Sequence, residues 1–487
     1  MKADRKSIAK NTIYSLIKTF SSIIFPVITF PYVNRVLLPD YVGKYNFSFT
    51  YVSYYLLLAS LGITTYAVRE CSLAKNDKDK LTNISSQIFS INICSMLVAY
   101  VLLFGSLILF RKLDEYRLAI IILSSMILFS IIGTDWLNSA FEDFKYITIR
   151  TVLFQLLSLI ALFVFVRQPE DYLIYAIITA VAAGGANVLN VFYRRKFCRI
   201  KIIFNIKSMG WKRHFPPIVL LFSMLLVQTI FTNSDITMLG IMKSDYDVGV
   251  YSAAVKIYNL LNQIIGSFFL VTMPRLTECF AENNFSEINR LLNQCLQYIF
   301  GLGLPCIIGT VMLSDEIILL VGGEDYSEAS VYLIILMIGL FFSMIGGSII
   351  GNIILLPSKK EKIFLKACIA AALVNVCLNL IFIPMYGALA AAISTVISHI
   401  VVFVMLIRHI DKRINFGSFS KIIIAPSLGC GCIVIICLVI KFLINNTLLV
   451  FITSVAISVL VYGLILLLLK YQLLLRYVNQ FLNKIKR

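Results

Sequence analysis

The chain has 487 residues, of which 59% are hydrophobic and only 14% charged, and it carries a formal net charge of +18. A mean hydropathy of +0.89 excludes a water-soluble globular protein. The positive charge suggests a nucleic-acid partner, but the way it is spread among the loops excludes that reading.

About fourteen apolar stretches of roughly 20 residues fill the chain, the length a helix needs to cross a bilayer with its backbone bonds closed internally. They run approximately over 8–33, 42–68, 83–110, 117–139, 147–166, 172–193, 216–241, 248–273, 291–313, 328–356, 363–383, 386–408, 421–441 and 448–469. The predicted fold class is therefore an all-α polytopic membrane protein. The first span follows Lys2, Arg5, Lys6 and Lys10 but is too long for a signal peptide, so it is expected to stay attached as a helix. With the N-terminus inside, 33 of the 43 Lys/Arg fall to the cytoplasmic face and 8 to the external face, which predicts both termini in the cytoplasm.

In span one, Asn11, Ser15, Lys18 and Ser22 share one helical face, and Pro26 and Pro31 mark bend points. Span two opens with Val42-Gly43-Lys44-Tyr45, carries Asn46 and a crowd of aromatic residues, and ends at Arg69. Span four holds Asp135 near its inner end, within reach of Arg150 or Arg69. The densest cations, Arg194 to Arg213, join spans six and seven as a basic cytoplasmic linker able to touch anionic headgroups. Span seven places Gln228, Thr232 and Asp235 on one face, and span eight does the same with Ser252, Lys256, Asn259, Gln263 and Ser267 before ending at Arg275. The external segment 314–327 reads as a flexible acidic turn. His399 of span twelve is read as the one buried histidine. Spans thirteen and fourteen look peripheral, and the tail from Lys470 is expected to lie amphipathically on the inner leaflet.

An offset of 206 residues carries Val42-Gly43 onto Val248-Gly249, Tyr45 onto Tyr251 and Arg69 onto Arg275, which marks a duplication. An even number of spans separates the copies, so the repeat is parallel, with its axis along the membrane normal. The predicted organisation is an N-lobe (1–193), the linker (194–215), a C-lobe (216–410), spans thirteen and fourteen (411–469) and the basic tail (470–487). The lobes are expected to be pseudo-twofold mates around a central cavity.

A lysine in mid-membrane costs at least about 2.5–3.5 kcal/mol on insertion scales, so Lys18 and Lys256 are the sharpest functional candidates. With Asn46, Arg69, Asn259, Gln263 and Arg275 they form the expected substrate path, with Asp135 and Asp235 as ion-coupling candidates. A buried ion pair between Lys256 and Asp235 is the bland alternative. The eleven cysteines show no metal-ligand spacing, and no motif for a catalytic residue, a metal or a cofactor is present.

Tyr66-Ala67-Val68-Arg69-Glu70, Asp135-Trp136 with Glu142-Asp143-Phe144-Lys145-Tyr146-Ile147, and Asp235 with Met238-Leu239-Gly240 and Tyr251-Ser252-Ala253-Ala254 are the residues that carry a family resemblance. Over nearly its whole length the chain resembles the Wzx-type polysaccharide-repeat-unit (O-antigen) flippases of the multidrug/oligosaccharidyl-lipid/polysaccharide exporter superfamily. It departs from them at Ile236, where the family often has a lysine. The resemblance implies transport of undecaprenyl-pyrophosphate-linked oligosaccharide, as in lipopolysaccharide synthesis, across the bacterial inner membrane. It also implies coupling to H⁺ or Na⁺, contact with membrane lipids and a glycan polymerase as a possible partner. A lipid II flippase and a multidrug cation antiporter of the same superfamily are the alternatives. A membrane-embedded glycan polymerase or ligase is disfavoured because the external segments are short, so the protein is not expected to be an enzyme.

Overall fold

The computed structural model describes residues 2–415, 417 and 419–475, and among these residues no β-strand occurs. Hydrocarbon offers a backbone no hydrogen-bond partner, so segments this apolar close their bonds within helices. Contacts divide the chain into two compact units, residues 1–249 and 250–487.

The first unit begins with α1 (Lys2–Ser60), followed by α2 (Ile63–Leu73), α3 (Lys78–Leu109), α4 (Arg117–Gly133), α5 (Asp135–Ala140) and α6 (Phe144–Phe165). The π-helical turn Val181–Gly185 separates α7 (Tyr172–Ala180) from α8 (Ala186–Tyr193); α9 (Trp211–Met242) and the start of α10 (Asp245–Ala281) complete the unit. α1 packs against α3, α4, α6 and α9. Span seven, α9, therefore lies within the first unit.

α1 is broken at Leu38, whose φ of 61° precedes Pro39. A side chain with a Cβ pays for that left-handed conformation, and the proline ring blocks regular continuation, so the chain turns there. The sequence placed its bend points at Pro26 and Pro31, yet both prolines stay inside helix. The break explains the number of spans as well. Among the described residues twelve helices are long and apolar enough to cross a membrane, or thirteen with the bent pair Asp245–Phe269 and Thr272–Ala281. The first of them, Ile13–Leu73, has 61 residues and would run about 90 Å if straight, three times the hydrocarbon thickness.

The segment 194–215 is an ordered strap. The Lys201 and Ile203 amides donate to the Ser86 and Ser90 hydroxyls of α3 at 3.0 and 2.8 Å, and the Gln87 amide donates to the Ser208 carbonyl at 3.1 Å. Cys198, Met209 and Ile218 join Tyr66, Cys71, Ile88 and Trp136 in one core cluster, with Trp211 packed on its edge.

The second unit continues α10 into α11 (Phe285–Tyr298), the π-helical segment Ile299–Gly303, α12 (Leu304–Met312), α13 (Ser314–Val321) and α14 (Ala329–Phe342). After the π-helical segment Ser343–Leu355 come α15 (Glu361–Tyr386), α16 (Ala388–Ile407), α17 (Phe419–Leu443) and α18 (Thr447–Leu468). α14, α15 and α16 pack together, while α17 and α18 pair and rest on α12 and α13. Two tyrosines fix that pair: the Tyr462 hydroxyl donates to the Gly301 carbonyl at 2.8 Å, and the Tyr471 hydroxyl to the Gln297 carbonyl at 2.9 Å.

Two expectations are corrected. The segment 314–327 is not a flexible turn: Ser314–Val321 is helical because its apolar residues pack on α14 and α18. The tail does not begin on a membrane surface, since Tyr471 and Leu473 are buried in the cluster with Leu466 and Tyr462. The remainder of the tail, 476–487, lies outside the described residues.

Each glycine of the repeated Val-Gly pairs packs against the segment that leads into the other pair. A Cβ on Gly43 would overlap the backbone of Asp245, and one on Gly249 would overlap the backbone of Pro39. The offset of 206 that relates the glycines also relates Pro39 to Asp245, so the contact maps onto itself when the copies are exchanged. Gly43→Ala and Gly249→Ala should each destabilise this arrangement by about 1–3 kcal/mol, the usual effect of overpacking. Gly105→Ala on α3, with open space around it, should be neutral or stabilising. Thermal unfolding of detergent-solubilised variants checks the contrast; equal melting temperatures for all three would contradict it.

Candidate functional site

The polar stripes of the apolar helices emerge unequally. On α1, Lys18 is half-buried while Ser15 and Ser22 are exposed; on α9, Gln228 and Thr232 are exposed and Asp235 is buried. On α10, Lys256 and Asn259 are half-buried and Gln263 is exposed. Arg69, in the second half of α2, and Arg275, six residues before the end of α10, are exposed, and the Arg69 side chain meets Glu70 only at 3.6 Å. Asn46 is buried, with no partner for its amide nitrogen. Sequence reasoning missed Asn34, which is fully buried on the other side of the Leu38 break and has both amide atoms unpartnered. Two hydrogen bonds tie the second half of α1 to α9: the Asn233 amide donates to the Ser53 hydroxyl at 2.9 Å, and Tyr54 meets Thr237 at 3.0 Å.

Asp135 has a different setting. Its carboxylate accepts from Arg150 at 3.0 Å, from Asn190 at 3.2 Å and from Asn138 at 3.4 Å, so of the two arginines considered, Arg150 is its partner. The Arg150 side chain is buried, leaving its Nε and Nη1 without partners, and its guanidinium lies 5.6 Å from the Tyr146 ring centroid. Tyr146 stacks on Tyr193 at 3.6 Å, and the Tyr193 hydroxyl donates to Asp143 at 2.5 Å. Asp135, Asp143 and Tyr146, which stand in two separate sequence motifs, thus belong to one cluster at the junction of α5, α6 and α8. The spacing of Tyr146 and Arg150 by four on α6 was a signal for it.

His399 is not the only buried histidine. His214 is fully buried, with Nδ1 2.7 Å from the Tyr66 hydroxyl and Nε2 3.0 Å from Gln87, because the basic strap folds onto α2 and α3 instead of standing in solvent. Beside it Arg213 pairs with Glu70 at 2.8 Å. In the second unit, Asn375, Asn379 and Ser398 are fully buried and Ser394 nearly so. The Asn379 amide donates to Asn375 at 3.2 Å, and Tyr258 lies 3.0 Å from His399. The pattern of polar residues at 375, 379, 394 and 398 was present in the sequence but went unread, since each pair is short and flanked by aliphatics.

The family model described as "Polysaccharide biosynthesis protein" matches residues 8–280, more than half of the chain. The chain belongs to that family. A second model, MatE, matches residues 220–381. Among curated relatives, a protein of Escherichia coli K12 named as an O-antigen transporter is 22% identical, the match covering 85% of this chain and 99% of the relative. The capsular polysaccharide biosynthesis protein CapF of Staphylococcus aureus is 23% identical, covering 81% and 97%. Among solved structures, the lipid II flippase MurJ in an inward closed conformation aligns with a TM-score of 0.75 and 19% identity over 93% of this chain and 98% of that one, a likeness of fold. These findings place the chain with the Wzx-type flippases of the multidrug/oligosaccharidyl-lipid/polysaccharide exporter superfamily, as a multi-span membrane protein.

The Asp135–Arg150 contact generates a prediction. Arg150→Leu strands a carboxylate among buried amides and should lower stability by about 3 kcal/mol, the lower end for a buried pair because Asp135 is partly open. Adding Asp135→Asn should restore most of it. The double variant melting no higher than Arg150→Leu would show that the two side chains are not coupled.

Proposed function

We propose that the protein is a flippase that moves undecaprenyl-pyrophosphate-linked oligosaccharide from the cytoplasmic to the external leaflet of the bacterial inner membrane by alternating access. The observation that carries the reading is the emergence of polar and cationic side chains, Lys18, Ser22, Gln228 and Thr232, from helices otherwise apolar enough to span a bilayer. Such groups are expensive against lipid and are accommodated where they line a wet path. Family membership and relatives named for O-antigen transport and capsular polysaccharide synthesis support the substrate class.

In this reading Lys18 and Lys256 hold the pyrophosphate through charge-assisted hydrogen bonds, and Asn46, Asn259 and Gln263 meet sugar hydroxyls. Arg69 and Arg275 attract the anionic head at the cytoplasmic end. Asp235 and Asp135 are the coupling carboxylates for H⁺ or Na⁺, Asp135 acting through its exchange of partners with Arg150. The chain crosses the membrane fourteen times, with spans one and two both in α1, and has both termini inside. The two halves are copies of one duplicated unit, a relation supported by the 206-residue offset that carries Val42-Gly43 onto Val248-Gly249 and Arg69 onto Arg275. The protein is not an enzyme; a glycan polymerase acts after it on the same carrier.

Deleting the gene in its native host should make lipid-linked repeat units accumulate on the inner leaflet. Lys256→Ala should lower transport about 10–100-fold, the effect of losing a hydrogen bond to a charged group worth about 1.5–3 kcal/mol, and Lys256→Arg should retain more. Full transport by a normally inserted Lys256→Ala protein would remove the lysine from the path. Unpolymerised units accumulating outside the deletion strain would identify a polymerase instead, and rescue by a lipid II flippase with loss of cell-wall precursor export would make lipid II the substrate. A cysteine at Lys207 should resist external labelling and one at Glu324 should accept it; the reverse pattern would invert the topology.

A further inference from the structure

In the second unit, where the C-terminal half of α11 meets the start of α17 and the segment after α18, two adjoining cavities stand apart from the residues assigned to transport. The first, about 380 Å³, is lined mainly by carboxamides, among them Asn293, Gln294, Gln297 and Gln472. The second, about 560 Å³, shares Asn293, Gln297 and Gln472, and its far wall is apolar, formed by Ile422, Ile424 and Leu469. Both lie in the range of small-molecule sites, roughly 300–1,000 Å³.

Gln297 is the centre of this arrangement. It is only 6% exposed, yet its Oε1 has no partner, while its amide nitrogen donates to Asn293 at 2.6 Å and to Gln472 at 3.3 Å. Its own carbonyl accepts from the hydroxyl of Tyr471, which also lines the second cavity. The Gln294 amide nitrogen is likewise unpartnered. One buried acceptor and one donor left unmatched at a cavity wall call for a ligand that offers both, since an unsatisfied buried polar group costs about 1–3 kcal/mol. Hydroxyl groups do so; each donates once and accepts twice. The cation in the first cavity, Arg290, is already bound to Glu287, so carboxamides and not charge set the chemistry there. Lys470 touches only the second cavity. The π-helical turn that begins two residues after Gln297, at Ile299, is the kind of helix defect that recurs at functional sites.

We infer that this part of the second unit binds a membrane lipid with an uncharged, hydroxyl-rich headgroup, such as a glycosyl group. The carboxamides grip the hydroxyls and the Ile422, Ile424 and Leu469 wall receives the start of the chain. The site would couple the C-terminal helix pair to the lipid around it, and it does not depend on the transport reading.

The test is native mass spectrometry of the full chain released from a detergent without a sugar headgroup, titrated with monohexosyl-diacylglycerol, with phosphatidylcholine and phosphatidic acid of the same acyl chains, and with free glucose. One monohexosyl-diacylglycerol is expected to bind at least 10-fold more tightly than either phospholipid, and Gln297→Leu should lower that affinity at least 10-fold. Gln294→Leu, which removes an amide nitrogen with no partner to lose, should lower it too and serves should Gln297→Leu fail to fold. Equal binding of phosphatidylcholine, or affinity unchanged in a folded variant, would overturn the site. Preference for phosphatidic acid would overturn hydroxyl recognition, and displacement of the lipid by glucose at equal concentration would make this a soluble-sugar site and overturn the lipid.

Discussion

The architecture depends on one constraint, that a backbone carbonyl or amide inside hydrocarbon must find a partner within the protein. Unbroken helix satisfies it automatically, so the informative places are the interruptions. Each of several is met by a side chain aimed at the group the break exposes. Between α4 and α5, where Thr134 adopts a left-handed conformation, Arg194 donates to the Ile132 carbonyl at 3.1 Å. At the C-terminal end of α1 the Asn92 amide and the Ser95 hydroxyl both reach the Ala59 carbonyl. At the end of α6 the Tyr32 hydroxyl donates to the Val166 carbonyl at 2.7 Å. Where the π-helical turn 299–303 perturbs the ladder, Tyr462 supplies the donor. The polar residues of the spans are thus of two kinds, those consumed in repairing the backbone and those left over.

That division sorts the charges. Arg194 and Arg150, both in the N-terminal half, have structural partners: one closes a helix break and the other holds Asp135. The same is true of Lys441, whose ammonium meets Glu316 at 2.9 Å. Arg69, by contrast, projects from the second half of α2 with a distant partner. Net charge says nothing about this distinction; it emerges only when each cation is asked what backbone or carboxylate it serves. The burial of so many hydrogen-bonded groups also fixes helix register more sharply than aliphatic packing alone, since a slip by one residue would strand several polar atoms at once.

The membrane-spanning character and the approximate limits of the helices were legible in the sequence, because about 20 apolar residues admit few other structures. The repeat was legible too, from Val42-Gly43 and Val248-Gly249, although nothing in it foretold that the two glycines approach each other's lead-in segments. The break in α1 was misplaced because proline alone does not interrupt a helix when neighbours can satisfy the freed carbonyl; Pro26 and Pro31 stay helical, while Leu38 takes the turn. The burial of His214 was illegible for another reason. A run of cations reads as a solvated linker, yet the apolar residues Phe197, Cys198, Ile200, Ile203 and Met209 interspersed in it pack into the core cluster, and backbone bonds to Ser86 and Ser90 hold it down. For the candidate site, the sequence supplied residue types and faces, whereas Asn34 escaped because a single amide in an aliphatic run carries no periodic signal, and the Asn375–Asn379 pair because one i,i+4 repeat among aliphatics does not extend into a stripe.

The packing of that strap has a spectroscopic consequence. The chain contains only two tryptophans. Trp136 is buried in the core cluster of α2, α3 and α5, and Trp211, at the start of α9, packs against the same cluster with its ring 5.3 Å from that of Phe215. The tryptophan emission of the whole protein, selected by excitation at the red edge where tyrosine does not absorb, therefore originates from one neighbourhood, the seam where the strap lies against the first unit. Tryptophan fluorescence registers the dielectric and quenching environment of that seam and is blind to everything beyond it, so an optical signal ordinarily averaged over a molecule is here a local gauge.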